Sequence, residues 1–268
     1  MRLRGSKALV TGASSGIGEA IASRFLSEGA EVWGTSRNPA SKRFLPGIRP
    51  LRLDISRFSQ IEADWREQEL EAVGFDIVVN NAGSGVFGRF AESDFEDWKS
   101  QIEMLLIGTR KVTRLVLPGL IEREGYLVNV SSLAAEFPVP FMSAYNASKA
   151  GLSAFTESVI LETQPSGMKA IDLRPGDIKT GFNCNMMVKS GKIENQGCVN
   201  KVWRRIEKRI SESPSPDLVA DKLCKAIRKD RAGVVRAGTR FQACLAPLLR
   251  RFVPAGWTRA GNISYYTE

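Results

Sequence analysis

The chain has 268 residues, of which 43% are hydrophobic, and its formal net charge at pH 7 is +9. This length and apolar content predict one large domain, residues 1–268, with a sizeable core. The sequence lacks the run of ~20 apolar residues that a membrane helix requires, and no signal-peptide core follows its start, so we expect a cytoplasmic protein.

Histidine is absent from the sequence, which excludes Ser-His-Asp and Cys-His catalysis and every metal site that needs imidazole. The four cysteines show neither Cys-x-x-Cys pairing nor dense spacing, so we expect reduced thiols and no metal site. They are Cys184, Cys198, Cys224 and Cys244. Proton chemistry must therefore use Tyr, Lys, Asp, Glu or Cys.

Short apolar segments rich in β-branched residues alternate with longer helical patterns along the chain. Because parallel neighbouring strands need crossover connections, this alternation predicts an α/β fold with a Rossmann-like, doubly wound parallel sheet of about seven strands. A helical pattern that follows the first strand ends at Gly29. The predicted strands are 7–11, 30–35, 51–53, 76–80, 126–131, 169–173 and 233–236.

The first predicted strand runs into Thr-Gly-Ala-Ser-Ser-Gly-Ile-Gly, residues 11–18, and then into the helix. Glycine permits a tight turn and close backbone approach, and a helix N-terminus offers unpaired N–H groups to a pyrophosphate. The segment therefore predicts a dinucleotide-binding loop. Its expected contacts come from Gly12, Ser14, Ser15, Gly16, Ile17 and Gly18.

The end of the second predicted strand indicates the choice of dinucleotide. NAD-specific folds place an acid there to hold the ribose 2′-hydroxyl, but this chain reads Gly-Thr-Ser-Arg-Asn at residues 34–38. The guanidinium of Arg37 is suited to a 2′-phosphate. The sequence thus favours NADP(H).

Four further motifs follow in chain order. Asn-Asn-Ala-Gly occupies residues 80–83, Ser132 precedes Tyr145 by 13 residues, Tyr145 and Lys149 form Tyr-x-x-x-Lys, and Pro-Gly-Asp-Ile-Lys-Thr occupies residues 175–180. Together with the glycine loop, this order resembles the short-chain dehydrogenase/reductase family along nearly the whole chain. The resemblance implies an oxidoreductase that transfers a hydride between NADP(H) and a carbonyl or secondary alcohol.

Tyr145 and Lys149 stand one helical turn apart, so an ammonium beside the phenol is expected to lower a pKa that is normally ~10. Tyr145 is then the proton donor, and Ser132 is expected to hydrogen-bond the carbonyl oxygen. The resemblance implies that Lys149 also holds the nicotinamide ribose. It further implies that Asp54 contacts adenine and that Ile178 and Thr180 meet the nicotinamide end. The other implied cofactor contacts are Asn81, Ala82, Gly83, Pro175 and Gly176.

One position departs from the family pattern. Where members usually carry an asparagine between Trp98 and Gly108, this chain has Leu105. A leucine cannot hydrogen-bond the water that links the active-site lysine to solvent in the family. Gln101 lies one turn earlier on the same helix face and is a candidate substitute.

The last third of the chain is basic. Residues 181–268 hold 17 Lys/Arg and 7 Asp/Glu, against 21 and 22 in residues 1–180. We expect a substrate lid at about 181–214, where the strand pattern disappears, and a C-terminal flap at about 238–268. The flap is either a membrane or anionic-substrate contact, or a packed terminal helix or subunit contact with solvated arginines.

The expected substrate is apolar, of steroid, retinoid or acyl type, in a pocket walled by Val86, Phe87, Leu133, Phe137, Val139 and the lid after Thr180. An alternative function is an NADP(H)-binding sensor or regulatory protein in which Leu105 marks reduced catalysis. The basic region lacks interleaved aromatic residues, so we expect no nucleic-acid partner. A homodimer or homotetramer is implied by the resemblance alone.

Overall fold

The structure is a computed structural model that describes residues 3–182, 187–188 and 196–267. Within these ranges seven parallel strands form one sheet in the order β3-β2-β1-β4-β6-β7-β9, which confirms the predicted doubly wound architecture. The strands are β1 Lys7–Val10, β2 Glu31–Ser36, β3 Ile48–Arg52, β4 Ile77–Asn80, β6 Tyr126–Val130, β7 Lys169–Pro175 and β9 Gly233–Ala237.

The third strand differs most from its prediction, since it begins at Ile48 rather than at residue 51. Pro50, which interrupts the apolar pattern, pairs with Gly34 inside this strand. Proline has no N–H to donate, but β3 lies at the edge of the sheet, where that donor is not needed.

Helices cover both faces of the sheet because successive residues of a buried strand point in opposite directions. On one face, Val10 and Val79 pack with α1 (Gly16–Ser27) and α8 (Asp217–Arg228). On the other face, Leu9 and Val78 pack with α5 (Thr109–Glu122) and α6 (Ser143–Thr163). The strand order reverses between β1 and β4, and ligands of such sheets bind at the carboxyl ends beside this point.

The remaining helices lie around these layers. Helix α4 continues into a π-helical turn, Glu103–Gly108, before α5, and a second π-helical turn, Phe241–Leu245, precedes α9. Among the described helices, none combines the length and apolar content needed to cross a bilayer. Their bounds are α2 Ile61–Glu67, α3 Leu70–Val73, α4 Phe95–Ile102, α7 Gln196–Ser211, α9 Ala246–Leu249 and α10 Ala255–Thr267, with short 3₁₀ turns at Pro39–Ser41, Phe90–Glu92, Leu133–Ala135 and Gln164–Ser166.

The segment after Thr180 is more regular than its sequence indicates. A short strand β8 (Met187–Val188) pairs with β5 (Val86–Phe87), although the sequence analysis placed no strand there. Helix α7 follows and buries Val202 against Phe87 and Tyr266 in a third apolar cluster. The amphipathic spacing of α7, with Val199, Val202 and Ile206 on one side, explains why it packs in this way.

Candidate active site

A continuous cavity of about 1040 Å³ opens at the carboxyl ends of the strands. We call the part lined by residues from the segments 12–17, 35–42 and 53–55 the glycine-loop end. We call the other part the apolar end. It is lined by apolar side chains from β5, the loop after β6, α7 and the C-terminal segment, residues 238–267. Among the residues predicted as catalytic or cofactor-binding, those that line the cavity are Gly12, Ser14, Ser15, Gly16, Ile17, Arg37, Asp54, Asn81, Ala82, Gly83, Ser132, Tyr145, Lys149, Pro175, Gly176, Ile178 and Thr180.

The glycine loop is shaped by close backbone contacts. Gly12 and Gly16 have φ values of +66° and +60°, which favour glycine. A Cβ on Gly12 would lie 2.9 Å from Ala82 Cα, and one on Gly18 would lie 2.4 Å from the Gly12 carbonyl oxygen. Gly18 therefore serves packing rather than lining the cavity, whereas Ser15 and Gly16 place the start of α1 at the cavity wall.

Thr11 joins this loop to the segment that follows β4. Its hydroxyl oxygen accepts hydrogen bonds from the backbone N–H of Asn81 at 2.9 Å and of Ala82 at 3.0 Å. The Asn81 side chain in turn donates to the Thr11 carbonyl at 3.0 Å. The sequence analysis quoted Thr11 as part of the motif but missed this role.

The glycine-loop end carries two cationic side chains beyond β2. Arg37 lines the cavity as predicted, and Lys42, which the sequence analysis missed, lines it as well. The signal that could have identified Lys42 in the sequence is a cationic residue directly after the segment Pro39–Ser41, which forms a 3₁₀ turn. Asp54 also lines this end and accepts hydrogen bonds from the backbone N–H and hydroxyl of Ser56, at 3.0 and 2.6 Å.

Ser132, Tyr145 and Lys149 meet between the two ends. Ser132 caps the 3₁₀ turn Leu133–Ala135, and its hydroxyl donates to the Pro175 carbonyl at 3.5 Å. The Lys149 ammonium donates to the Val130 carbonyl at 2.7 Å and lies 5.7 Å from the centroid of the Tyr145 ring.

Burial controls the acidity of both groups. It raises the pKa of Tyr145 above its usual value, and the hydrogen bond to Ser132 opposes this only in part. The expectation that Lys149 lowers the pKa of Tyr145 is therefore wrong here, because burial dominates and the ammonium is directed to Val130. Burial also lowers the pKa of Lys149 to about 8, against the opposing attraction of Asp172.

A buried carboxylate lies beside Ser131, the residue before Ser132. Asp172, on β7, accepts hydrogen bonds from Ser131 and, at 2.7 Å, from the hydroxyl of Ser153, which lies one helical turn after Lys149. Arg174 Nε donates to the same carboxylate at 2.7 Å. The sequence analysis missed this network, because a buried acid within a strand gives no spacing signal.

At the position where the family usually carries an asparagine, an apolar side chain fills the space. Leu105 lies in the π-helical turn, is 1% exposed, and occupies the space beside Gly83, where its Cδ2 would be 2.6 Å from an added Cβ. Gln101 is 2% exposed and lines the cavity, and neither its amide nitrogen nor its amide oxygen has a hydrogen-bond partner among the described residues. This is the amide that the sequence analysis named as a substitute.

Four of the five predicted wall residues, Val86, Leu133, Phe137 and Val139, line the apolar end. Phe87 does not, which corrects the prediction: it is buried in the third cluster, 4.9 Å from Trp203 between ring centroids. In a strand, neighbouring side chains point to opposite faces, so Val86 and Phe87 cannot both face the cavity. Phe182, Ile206 and Ile210, from the expected lid after Thr180, also line the cavity. Lining residues that the sequence did not single out include Gln242, Leu249 and Tyr265.

Asp177, from the motif after β7, holds the C-terminal segment against this end. It accepts hydrogen bonds from the Gln242 amide at 2.7 Å and the Tyr265 hydroxyl at 2.8 Å. The described residues contain no cluster of three or more His, Cys, Asp or Glu side chains that could hold a metal. Cys198, Cys224 and Cys244 are free thiols, and Cys184 lies outside the described residues.

Comparison with known proteins gives similarities over most of the chain. A family model described as short chain dehydrogenase matches residues 6–189. A 3-ketodihydrosphingosine reductase of Bacteroides thetaiotaomicron is 28% identical over 246 residues, covering 90% of this chain and 88% of the relative. A short chain dehydrogenase of Pseudocercospora fijiensis is 31% identical over an alignment of 278 residues, covering 99% and 89%. The crystal structure of a short-chain dehydrogenase from Streptomyces avermitilis is 26% identical, covers 100% of both chains and gives a TM-score of 0.79.

Proposed function

Because the chain belongs to the short-chain dehydrogenase family, we propose that it is an NADP(H)-dependent oxidoreductase acting on a carbonyl or secondary alcohol. The observation that carries this proposal is that Ser132, Tyr145 and Lys149 line one cavity together with the glycine loop. A protein that only binds a dinucleotide has no chemical need for all three side chains.

The glycine-loop end fits a dinucleotide. Side chains at Gly12 or Gly18 would collide with neighbouring backbone, so the loop keeps a narrow cradle at the start of α1. The first N–H groups of a helix and its dipole suit a pyrophosphate. Gly12, Ser15 and Ile17 would hold the pyrophosphate, and Asp54 the adenine.

Two observations support NADP(H) over NAD(H). The end of β2 carries no acid for a ribose 2′-hydroxyl. Arg37 and Lys42 both line the cavity near that end, and two cations suit a 2′-phosphate.

The proton chemistry follows from the acidity of the central groups. When bound, the nicotinamide supplies the hydride that the carbonyl carbon receives. Tyr145 donates its phenolic proton to the carbonyl oxygen, and Ser132 hydrogen-bonds that oxygen. Because burial raises the pKa of Tyr145, the phenol keeps its proton at neutral pH and is available as the donor in carbonyl reduction. Lys149, held by its hydrogen bond to the Val130 carbonyl, would hold the nicotinamide ribose.

We propose an amphipathic ketone with a long apolar chain as the substrate. The apolar end offers Val86, Phe137, Val139, Ile206 and Leu249, which suit an acyl chain. The similarity to a 3-ketodihydrosphingosine reductase over 90% of the chain supports the same choice. Steroid- and retinoid-like ketones are the remaining candidates within this class.

The lid at about 181–214 and the flap at about 238–268 belong to the same proposal, since Ile206, Ile210 and Phe241 line the cavity. A homodimer or homotetramer is supported by exposed Ile107, Ile121 and Leu161 on the side of α5 and α6. The free thiols support a cytoplasmic location.

The test is a panel of ketones, aldehydes and alcohols of increasing chain length, assayed with NADPH and NADH by nicotinamide absorbance. We expect NADPH-dependent reduction whose kcat/KM rises with chain length. Tight NADPH binding without turnover on any member of the panel would favour the alternative, a sensor or regulatory protein.

A further inference from the structure

The C-terminal segment exposes an unusual share of apolar surface. Of the twelve large hydrophobic side chains that the described residues expose, seven lie between Phe241 and Ile263. Phe252 and Trp257 are 79% and 77% exposed. Exposed apolar side chains concentrated in one short segment are typical of a contact with a partner or with lipid.

The same segment is purely basic. Residues 238–267 contain Arg240, Arg250, Arg251 and Arg259 and no acid. None of the four arginines forms an ion pair with a described carboxylate; Arg250 instead stacks on the ring of Phe137, 5.6 Å from its centroid. The charge is therefore available to an anionic partner.

The inner side of the segment is held in place. Tyr265 is fixed by Asp177 and Gln242, and the Arg209 guanidinium lies 3.4 Å from the Tyr265 ring centroid. Asn262 donates to the Pro138 carbonyl at 2.7 Å. Helix α10 thus presents Trp257 outward while its other side is anchored to the body of the protein.

The segment also forms part of the cavity wall. Phe241, Leu249, Arg250, Val253 and Thr258 line the apolar end, and Leu249 is both exposed and cavity-lining. An apolar chain that leaves a bilayer beside this surface reaches the cavity without crossing water.

We propose that residues 240–263 dock the protein on an anionic lipid bilayer and place the mouth of the cavity at the lipid surface. Aromatic and leucine side chains enter the boundary between headgroups and acyl chains, while the arginines pair with anionic headgroups. A second copy of the chain is a less favourable partner for this surface, because a two-fold symmetric contact would bring the same arginines of both copies together. The proposal deepens the proposed function and rests on its apolar substrate.

The experiment is sedimentation of the full chain with vesicles of phosphatidylcholine alone or mixed with phosphatidylserine. We expect binding to the mixed vesicles only, weakened by added salt, since surface charge interactions are screened over ~8 Å at physiological ionic strength. Equal binding to both vesicle types, or to neither, would overturn the proposal.

Two double variants separate the contributions of charge and apolar contact without touching a cavity-lining residue. Arg251→Glu with Arg259→Glu, and Phe252→Ser with Trp257→Ser, should each weaken vesicle affinity by at least about tenfold. Matched controls are Lys222→Glu with Lys225→Glu on exposed positions of α8, and Phe90→Ser with Phe95→Ser. If the control variants weaken vesicle binding as much as the two test variants do, the effect is one of general charge or hydrophobicity, and the assignment to this surface is refuted.

Two readouts keep the docking proposal apart from the proposed function. Sedimentation needs no catalysis, so vesicle binding by a chain that reduces no ketone would leave docking intact and reject the proposed function. Analytical ultracentrifugation tests the other partner, a second copy of the chain. Loss of self-association in Phe252→Ser with Trp257→Ser, together with no vesicle binding by the wild type, would identify a subunit interface and reject docking.

Discussion

The glycine-loop end and the apolar end of the cavity are built from different kinds of contact. At the glycine-loop end, the lining residues come from three short segments, each at the end of a strand, and backbone fit decides which residues are possible in the glycine loop. At the apolar end, side chains converge from β5, the loop after β6, α7 and the C-terminal segment, and no short motif contains them. Each segment of the glycine-loop end is therefore recognisable within a short stretch of sequence, whereas the apolar end depends on packing between distant segments.

The largest effect is expected at the junction of the two ends. Tyr145→Phe removes the only proposed proton donor and should lower kcat by ~10²–10⁴-fold. The dissociation constant for NADPH, measured by fluorescence titration, should stay close to the wild-type value. Turnover retained by this variant would mean that the acid lies elsewhere, and an equal loss of NADPH affinity would mean that the two ends are not separable.

At the glycine-loop end, Arg37→Ala should weaken NADPH binding by about 1.5–3 kcal/mol, or roughly 10–150-fold, because a charge-assisted phosphate contact is lost. NADH affinity should change little. Arg43→Ala is the matched control, since Arg43 is exposed and does not line the cavity. Equal affinities of the wild type for NADPH and NADH would remove the basis for this prediction.

The pH dependence tests the buried network behind the junction. Because the pKa of Lys149 is about 8, kcat should fall as the pH rises through this value and the ammonium loses its proton. Asp172→Asn removes the charge that favours the ammonium, so its pH–rate profile should fall at a lower pH. Glu136→Gln disturbs the same network through Arg174 and Arg236 and should leave the midpoint in place.

The smallest effect concerns the unpartnered amide in the cavity wall. Gln101→Leu should lower kcat by about two- to tenfold if the amide hydrogen-bonds a water on the proton route. The same change should raise the free energy of unfolding, because it removes a buried amide that has no described partner. In the double variant, Gln101→Leu with Leu105→Asn, part of the lost kcat should return. An unchanged kcat in Gln101→Leu alone would show that other groups form the proton route.

The sequence predicted the sheet well because strands and helices depend on local patterns, and the same patterns placed the glycine loop between β1 and α1. Alternating strands and helices, glycine spacing and the Tyr145–Lys149 interval are all visible within short windows. Leu105 was identified as a departure in the same way. The exact start of β3 was missed because Pro50 is permitted only by the edge position of that strand, which is a property of the assembled sheet.

The apolar end and the acidity of the catalytic groups were less predictable. Phe87 was assigned to the cavity because it follows Val86, but the strand alternates and α7 supplies its actual neighbours. Asp172 and Lys42 reach the site only through the fold. The direction of the Tyr145 pKa shift depends on how deeply the phenol is buried, and spacing along a helix carries no information about burial.

The position of Pro50 has a consequence for the behaviour of the protein in concentrated solution. An outer strand of a sheet is a template on which strands of other molecules can add, and this addition requires an uninterrupted row of N–H donors. Pro50 removes one donor from the middle of β3, at an exposed position. The β3 edge of the sheet is therefore a poor site for growth of intermolecular β-structure. In concentrated solution the protein should not aggregate through this edge.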